Sequence, residues 1–317
     1  MTYFAAMEYT LGVTAPVFLI VFLGLYLKRA GRIDDGFIAT ASKLVFDLCL
    51  PMLMFLAILE AKVNWAEQGR LALFSVLAAC ASFLVLWLTA RRWVPEVADR
   101  GVAVQGAFRS NLGIVGLALC GNAFGAEGLA VGAVLLAVVT PAYNILSVYA
   151  LTRSLQPDGR LNVKKLLLDM IKNPLIASIL TAFVCLLLGV RLPSILSDAG
   201  HYLGAMTLPL ALIAIGGSLS MDSLRKSSRV SSWAVLFKLL LLPLAVVLLA
   251  VPFGFSGVEL GCLMLMFASP TAAASFVMVR TMGGNFALAS NIIVMSTLLS
   301  AVSISLMLYG IRLAGWL

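Results

Sequence analysis

Two short stretches of this 317-residue chain carry polar side chains inside otherwise apolar sequence. One is Arg109-Ser110-Asn111, set in the glycine-rich run from Gly101 to Asn122 and followed by Gly113. The other is Ser269-Pro270-Thr271, followed by three alanines and Ser275. Pro270 has no N–H and disfavours helix in the residue before it, so a helix passing through must break there. A half-helix that resumes after a break presents unpaired N–H groups and the positive end of its dipole. Two such ends facing each other would hold an anion without a metal, and Arg109 would add a full positive charge. The same residue types also serve close helix packing and kinks, and Arg109 could equally snorkel to a surface or pair with an acid. In Thr140-Pro141-Ala142-Tyr143-Asn144, Asn144 could reach the site or make a helix-to-helix hydrogen bond.

The remaining ionisable groups point to less. Lys43 and Asp47 stand four apart on one helix face, where they would neutralise each other; the alternative for Asp47 is a carboxylate that couples transport to protons. Lys238 and Asp169 read as interfacial or structural, and Glu8, Glu127 and Glu259 as solvated boundary groups. There is one histidine, His201, read as a bland boundary residue, and five cysteines without a Cys-x-x-Cys pair. A metal site is therefore not expected, and the cysteines read as small packing residues. No Gly-x-Ser-x-Gly pattern supports a serine hydrolase, and no Gly-x-x-x-x-Gly-Lys loop supports ATP-driven work. Neither an enzyme nor a bound cofactor is expected.

The elements that must position these residues are membrane helices. The chain is 62% hydrophobic and only 11% charged, with a mean hydropathy of +1.06, too few polar residues to coat a soluble surface. Its apolar runs are continuous, which predicts helices in lipid and not an alternating barrel. Ten spans are read, near 9–27, 37–59, 71–90, 102–123, 128–150, 166–189, 196–219, 231–251, 258–280 and 286–313: an all-α integral membrane protein of ten transmembrane helices. The net charge of +8 does not indicate a nucleic-acid partner, because the basic residues fall in the gaps between spans. Fourteen of the 22 lysines and arginines follow odd-numbered spans, against four on the other side (Lys62, Arg70, Arg191 and Arg312). That bias places the odd gaps in the cytoplasm and both termini outside, in a cell inner membrane. Met1 to Glu8 carries no basic residue, so the first span reads as a retained helix and not a secretory signal.

The two halves echo each other. Pro16 and Pro174, Pro51 and Pro209, and Ser110-Asn111-Leu112 and Ala268-Ser269-Pro270 share one offset. The boundary falls in the longest gap, near 152–165, with the turn signal Gln156-Pro157-Asp158-Gly159. Residues 1–155 then form one five-helix repeat and 156–317 a second. An odd helix count inverts the second repeat relative to the first, a plan suited to alternating access. Spans four and nine, which carry the polar breaks, occupy matching places.

Across nearly the whole chain these motifs resemble the auxin efflux carrier family, which includes plant auxin exporters and bacterial carriers of malonate and related acids. The segments that carry the resemblance are Gly106-Ala107-Phe108-Arg109-Ser110-Asn111-Leu112-Gly113, Thr140-Pro141-Ala142-Tyr143-Asn144, Lys172-Asn173-Pro174-Leu175, Leu208-Pro209-Leu210-Ala211-Leu212 with Gly216 and Ser218, Lys238 with Pro243, and Ser269-Pro270. The resemblance implies a fold like that of bile-acid sodium symporters, with helices four and nine crossing at their breaks. Helices one, two, six and seven would be a scaffold, and helices three to five and eight to ten a transport domain moving like an elevator. It also implies a homodimer through the scaffold, and substrate binding at Asn111 and Pro270. The short 152–165 gap fits a bacterial member.

The function expected is a secondary active or potential-driven carrier of small organic anions such as malonate, malate or auxin-like acids. Its substrate site would comprise Arg109, Ser110, Asn111, Gly113, Asn144, Ser269, Pro270, Thr271 and Ser275, with H+ or Na+ as the possible coupling ion. The alternatives are a sodium-coupled symporter of another amphipathic solute and an anion channel.

Overall fold

The computed structural model describes residues 3–60, 65–155, 174–190, 192–219 and 229–317. Among these the architecture is all-helical, and the one β contact is an isolated antiparallel bridge between Ser110 and Thr271. The helices are α1 (Tyr3–Arg29), α2 (Asp35–Leu59), α3 (Trp65–Trp93), α4 (Val97–Phe108), α5 (Leu112–Leu155) and α6 (Pro174–Leu187). They continue with α7 (Ser194–Ser218), α8 (Arg229–Phe253), α9 (Gly257–Ala268), α10 (Ala274–Thr281) and α11 (Phe286–Leu313). Seven of them, α1, α2, α3, α5, α7, α8 and α11, are long and apolar enough to cross a membrane.

The lengths are informative. The 44 residues of α5 would reach about 66 Å as one rod, roughly twice a 30 Å hydrocarbon core. The rod breaks at Gly125, whose φ of 61° and ψ of −140° are open only to glycine. In contrast α4 and α9 have 12 residues each and α10 has eight, at most about 18 Å, too short to cross alone.

Helix starts and bends follow from local chemistry. Asp34 caps α2 by accepting the Phe37 N–H at 2.7 Å, and Asp35 pairs with Lys28 at the end of α1 at 2.8 Å. Asn285 caps α11 by accepting the Leu288 N–H at 3.0 Å while its amide donates to Asp99 at 3.1 Å. Two helices widen into a π turn just before a proline: Val45–Cys49 ahead of Pro51 in α2, and Phe237–Leu241 ahead of Pro243 in α8. A proline cannot donate to the carbonyl four residues back and its ring crowds that carbonyl, so the preceding turn opens.

Packing divides the helices by neighbour. α1 lies along α7, and α2 packs on α6 and α7. At the α1–α7 contact a side chain on Gly24 would run into the backbone of Ile213, and one on Gly216 into the backbone of Val21. Backbone cannot yield as a side-chain tip can, so Gly216→Leu is expected to cost about 1–3 kcal/mol, read as a lower unfolding temperature in detergent. α4 is enclosed by α3, α5, α8 and α11, and α9 by α5, α8 and α11. Every residue from 101 to 120 and from 260 to 272 is buried, so both short helices and the chain leaving them run through the middle of the molecule. The outer faces are apolar instead, with Leu19, Leu88, Leu180, Leu187, Ile195 and Leu306 exposed, as helices facing hydrocarbon require.

Cys49, Cys120 and Cys262 are buried and unpaired, as packing residues are. His201 is exposed, and its Nε2 lies 3.1 Å from Glu60 Oε1, which also accepts from Ser197 at 3.1 Å. The turn at Gln156-Pro157-Asp158-Gly159, the repeat boundary after residue 155, Asp169, and Lys172-Asn173 lie outside the described residues. So do Lys62, Arg160, Lys164, Lys165, Arg191, Arg225 and Lys226 of the charge count.

Candidate functional site

The two breaks meet. Leaving α4, Arg109 turns extended (φ −80°, ψ 105°), and Ser110 pairs antiparallel with Thr271 on the chain leaving α9. Asn111 N–H donates to Pro270 O at 2.7 Å, and Ala272 N–H donates to Arg109 O at 3.1 Å.

Each break frees backbone groups, and the local sequence supplies their partners. Met266 O loses the donor that Pro270 lacks, and Ser269 Oγ donates to it instead at 2.8 Å. Gly106 O loses Ser110 N–H to the bend, and Thr271 Oγ1 donates to it at 2.6 Å. Thr271 N–H donates to Ser296 Oγ at 3.1 Å, leaving Phe267 O to accept from Ser110 Oγ at 3.2 Å and from Lys238 Nζ at 2.6 Å. The Ser and Thr residues flanking Pro270 are thus what makes unwound backbone tolerable at depth.

Arg109 is 7% exposed. Its guanidinium donates to Asn144 Oδ1 at 2.7 Å, to Met278 Sδ at 2.8 Å and to Ser147 Oγ at 3.3 Å. The acid partner that sequence allowed for Arg109 is absent: no carboxylate pairs with Arg109 or Lys238 among the described residues. Three of its five N–H groups are thereby used, and the others have no partner among the described residues.

Beside this guanidinium is a cavity of about 90 Å³ lined by Arg109, Ser110, Asn111 and Gly113, with Phe46, Leu136 and Tyr143 in its walls. No carboxylate lines it among the described residues. The Asn111 amide is 8% exposed and makes no side-chain hydrogen bond to the described residues. The helix that resumes at Leu112 begins here, so its first unpaired N–H groups stand at the cavity wall. The backbone of Ala272–Ala274, leading into α10, closes the other side.

The structure thus brings together Arg109, Ser110, Asn111, Gly113 and, through its bond to Arg109, Asn144. Ser269, Pro270 and Thr271 build the crossing without lining the cavity. Ser275 is buried with an unpartnered hydroxyl and also does not line it. The expected Lys43–Asp47 pair does not form. Both are exposed, and Asp47 sits in the π turn, where four residues no longer bring side chains into line. Asp47 does not line the cavity either. Lys238, read from the sequence as interfacial or structural, is 1% exposed and reaches Ser110 Oγ at 2.5 Å, so it is the structural alternative that fits; Tyr143 and Phe46 were not among the expected site residues.

A family described as "Membrane transport protein" matches residues 10–308. The chain belongs to this family. Among its similar proteins is the Escherichia coli "Uncharacterized transporter YfdV", 23% identical over 278 residues, covering 86% of this chain and 88% of that one. An uncharacterized transporter of Methanothermobacter thermautotrophicus is 24% identical over 292 residues, covering 92% and 94%. The membrane transport family therefore accounts for the α1–α11 body as a whole, and the motif resemblance agrees with it.

Proposed function

We propose that the chain is a carrier for short organic anions that binds them at the crossing of the two breaks. One observation carries this reading: a guanidinium, an unpartnered Asn111 amide and a helix N-terminus converge on one cavity that has no carboxylate. That arrangement attracts an anion and offers a carboxylate both charge and directed donors.

The cavity also limits size. At about 90 Å³ it is smaller than a roughly 150 Å³ apolar cavity known to hold benzene. It favours an acid of malonate's dimensions over one that carries an indole ring. Phe46 and Leu136 set that limit, so Phe46→Ala is expected to raise uptake of bulkier aromatic acids at least several-fold relative to malonate, checked by competition in vesicles.

In this reading the chain crosses the membrane ten times. α4 with the first arm of α5 makes one crossing, the arm from 126 to 155 the next, and α9 with α10 another. Two inverted five-helix repeats related across the Ser110–Thr271 bridge follow. α1, α2, α6 and α7, which pack on one another, act as the scaffold and dimer contact. The remaining helices carry the site past them, with both termini outside in a bacterial inner membrane. An inside-negative potential of 100 mV favours anion exit by about 2.3 kcal/mol per charge, so export needs no coupling ion. Asp47, exposed and away from the cavity, is given no coupling role.

Counterflow tests the reading. Vesicles preloaded with malonate should accumulate labelled malonate transiently, with saturation. A flux that never saturates and shows no counterflow would make the chain a channel, and no flux of any carboxylate would remove the anion reading.

A further inference from the structure

Among the described residues Lys238 is the second buried cation beside Arg109, and the carrier reading leaves it without a task. It projects from the π turn Phe237–Leu241 of α8 and is 1% exposed. Its ammonium donates to Ser110 Oγ at 2.5 Å and to Phe267 O at 2.6 Å. The first partner belongs to the break after α4, and the second is a last-turn carbonyl of α9, at the negative end of that helix. Phe267 O is free to accept because the Thr271 N–H is turned to Ser296. No carboxylate pairs with the lysine among the described residues.

A charge at this depth is costly unless something holds it. Here it is held by a hydroxyl and a carbonyl, neutral oxygens of the kind a hard metal cation takes. Ser110 in turn lines the anion cavity, whereas Lys238 does not. We propose that the Lys238 ammonium is a tethered cation: it ties the two breaks together and raises the positive potential of the cavity through Ser110, so that anion binding needs no cation from solution. Lys238 is thus a positioning residue. The inference rests on the carrier reading and says what that site does not require.

The test is malonate binding and uptake by the full-length protein in sodium, potassium or choline as the sole added cation. Wild type is expected to give the same apparent affinity in all three, within about twofold. Lys238→Ala in choline is expected to bind at least tenfold more weakly. Methylammonium or sodium should restore part of that loss, because the vacated oxygens remain. Wild-type binding that requires sodium would overturn the proposal, and that arm needs no variant to fold. It would also be overturned by a Lys238→Ala protein with undiminished affinity in choline. A loss that no small cation restores would make the lysine a purely mechanical tie and overturn it as well. Absence of uptake by wild type in every medium would remove the carrier reading, and this inference with it.

Discussion

Asn111→Ala is expected to lower carboxylate affinity by about tenfold to a hundredfold while leaving the protein folded. The amide lines the cavity and bonds to no described side chain or backbone group, so its removal breaks no hydrogen bond among the described residues. What is lost is a hydrogen bond to a charged ligand, worth about 1.5–3 kcal/mol. The backbone role of the residue survives, because its N–H still donates to Pro270 O. Asn111→Asp is the sharper companion. It keeps the size and places a negative charge against the incoming anion, so binding should vanish while thermal stability changes little. Isothermal titration in detergent, with an unfolding curve for each variant, separates the two effects.

Arg109→Gln is expected to have the larger effect on affinity. It removes the one cation that lines the cavity among the described residues, and truncating one partner of a buried charged contact commonly costs about 2–5 kcal/mol. Arg109→Lys should not restore binding. A lysine could not donate to Asn144, Ser147 and Met278 in the fixed fork that holds the guanidinium in place. Lys43→Ala, at an exposed residue outside the cavity, should leave affinity within about twofold. A binding series in which Lys43→Ala weakened malonate as much as Arg109→Gln did would locate the anion elsewhere. Salt also distinguishes them, since a buried site is screened far less than a surface patch.

The breaks were legible because they rest on local rules. Pro270 removes a helix N–H, and Ser269 and Thr271 flank it with small hydroxyls able to take up the carbonyls that the two breaks free. The polar run Arg109-Ser110-Asn111 stood out because polar residues at membrane depth are expensive. What those side chains meet was not legible. Arg109 finds Asn144 on a different arm of the chain and no acid, and nothing in a single sequence fixes that register.

The deep burial of Lys238 and the failure of the expected Lys43–Asp47 pair share one cause. Reading faces by a period of 3.6 residues assumes an uninterrupted α-helix. Pro51 and Pro243 each open a π turn, over Val45–Cys49 and Phe237–Leu241, and the residues in it rotate off the expected face. Lys238 is thereby buried against Ser110 while Asp47 stays exposed. The signal was present as a proline five residues after Lys238 and four after Asp47. Applying it required knowing that the strain would be relieved by widening the turn and not by a kink. Phe46 entered the cavity wall for the same reason, as a π-turn residue.

The most direct test is the substrate-induced current of purified protein in proteoliposomes. Malonate should be applied to wild type and to Asn111→Asp reconstituted at equal density. A saturable current in wild type that is absent from Asn111→Asp is the predicted result, and it would place anion translocation at the crossing of the two breaks. Equal currents from both proteins would contradict that placement, because an anion cannot pass a carboxylate set in its own binding cavity unimpeded.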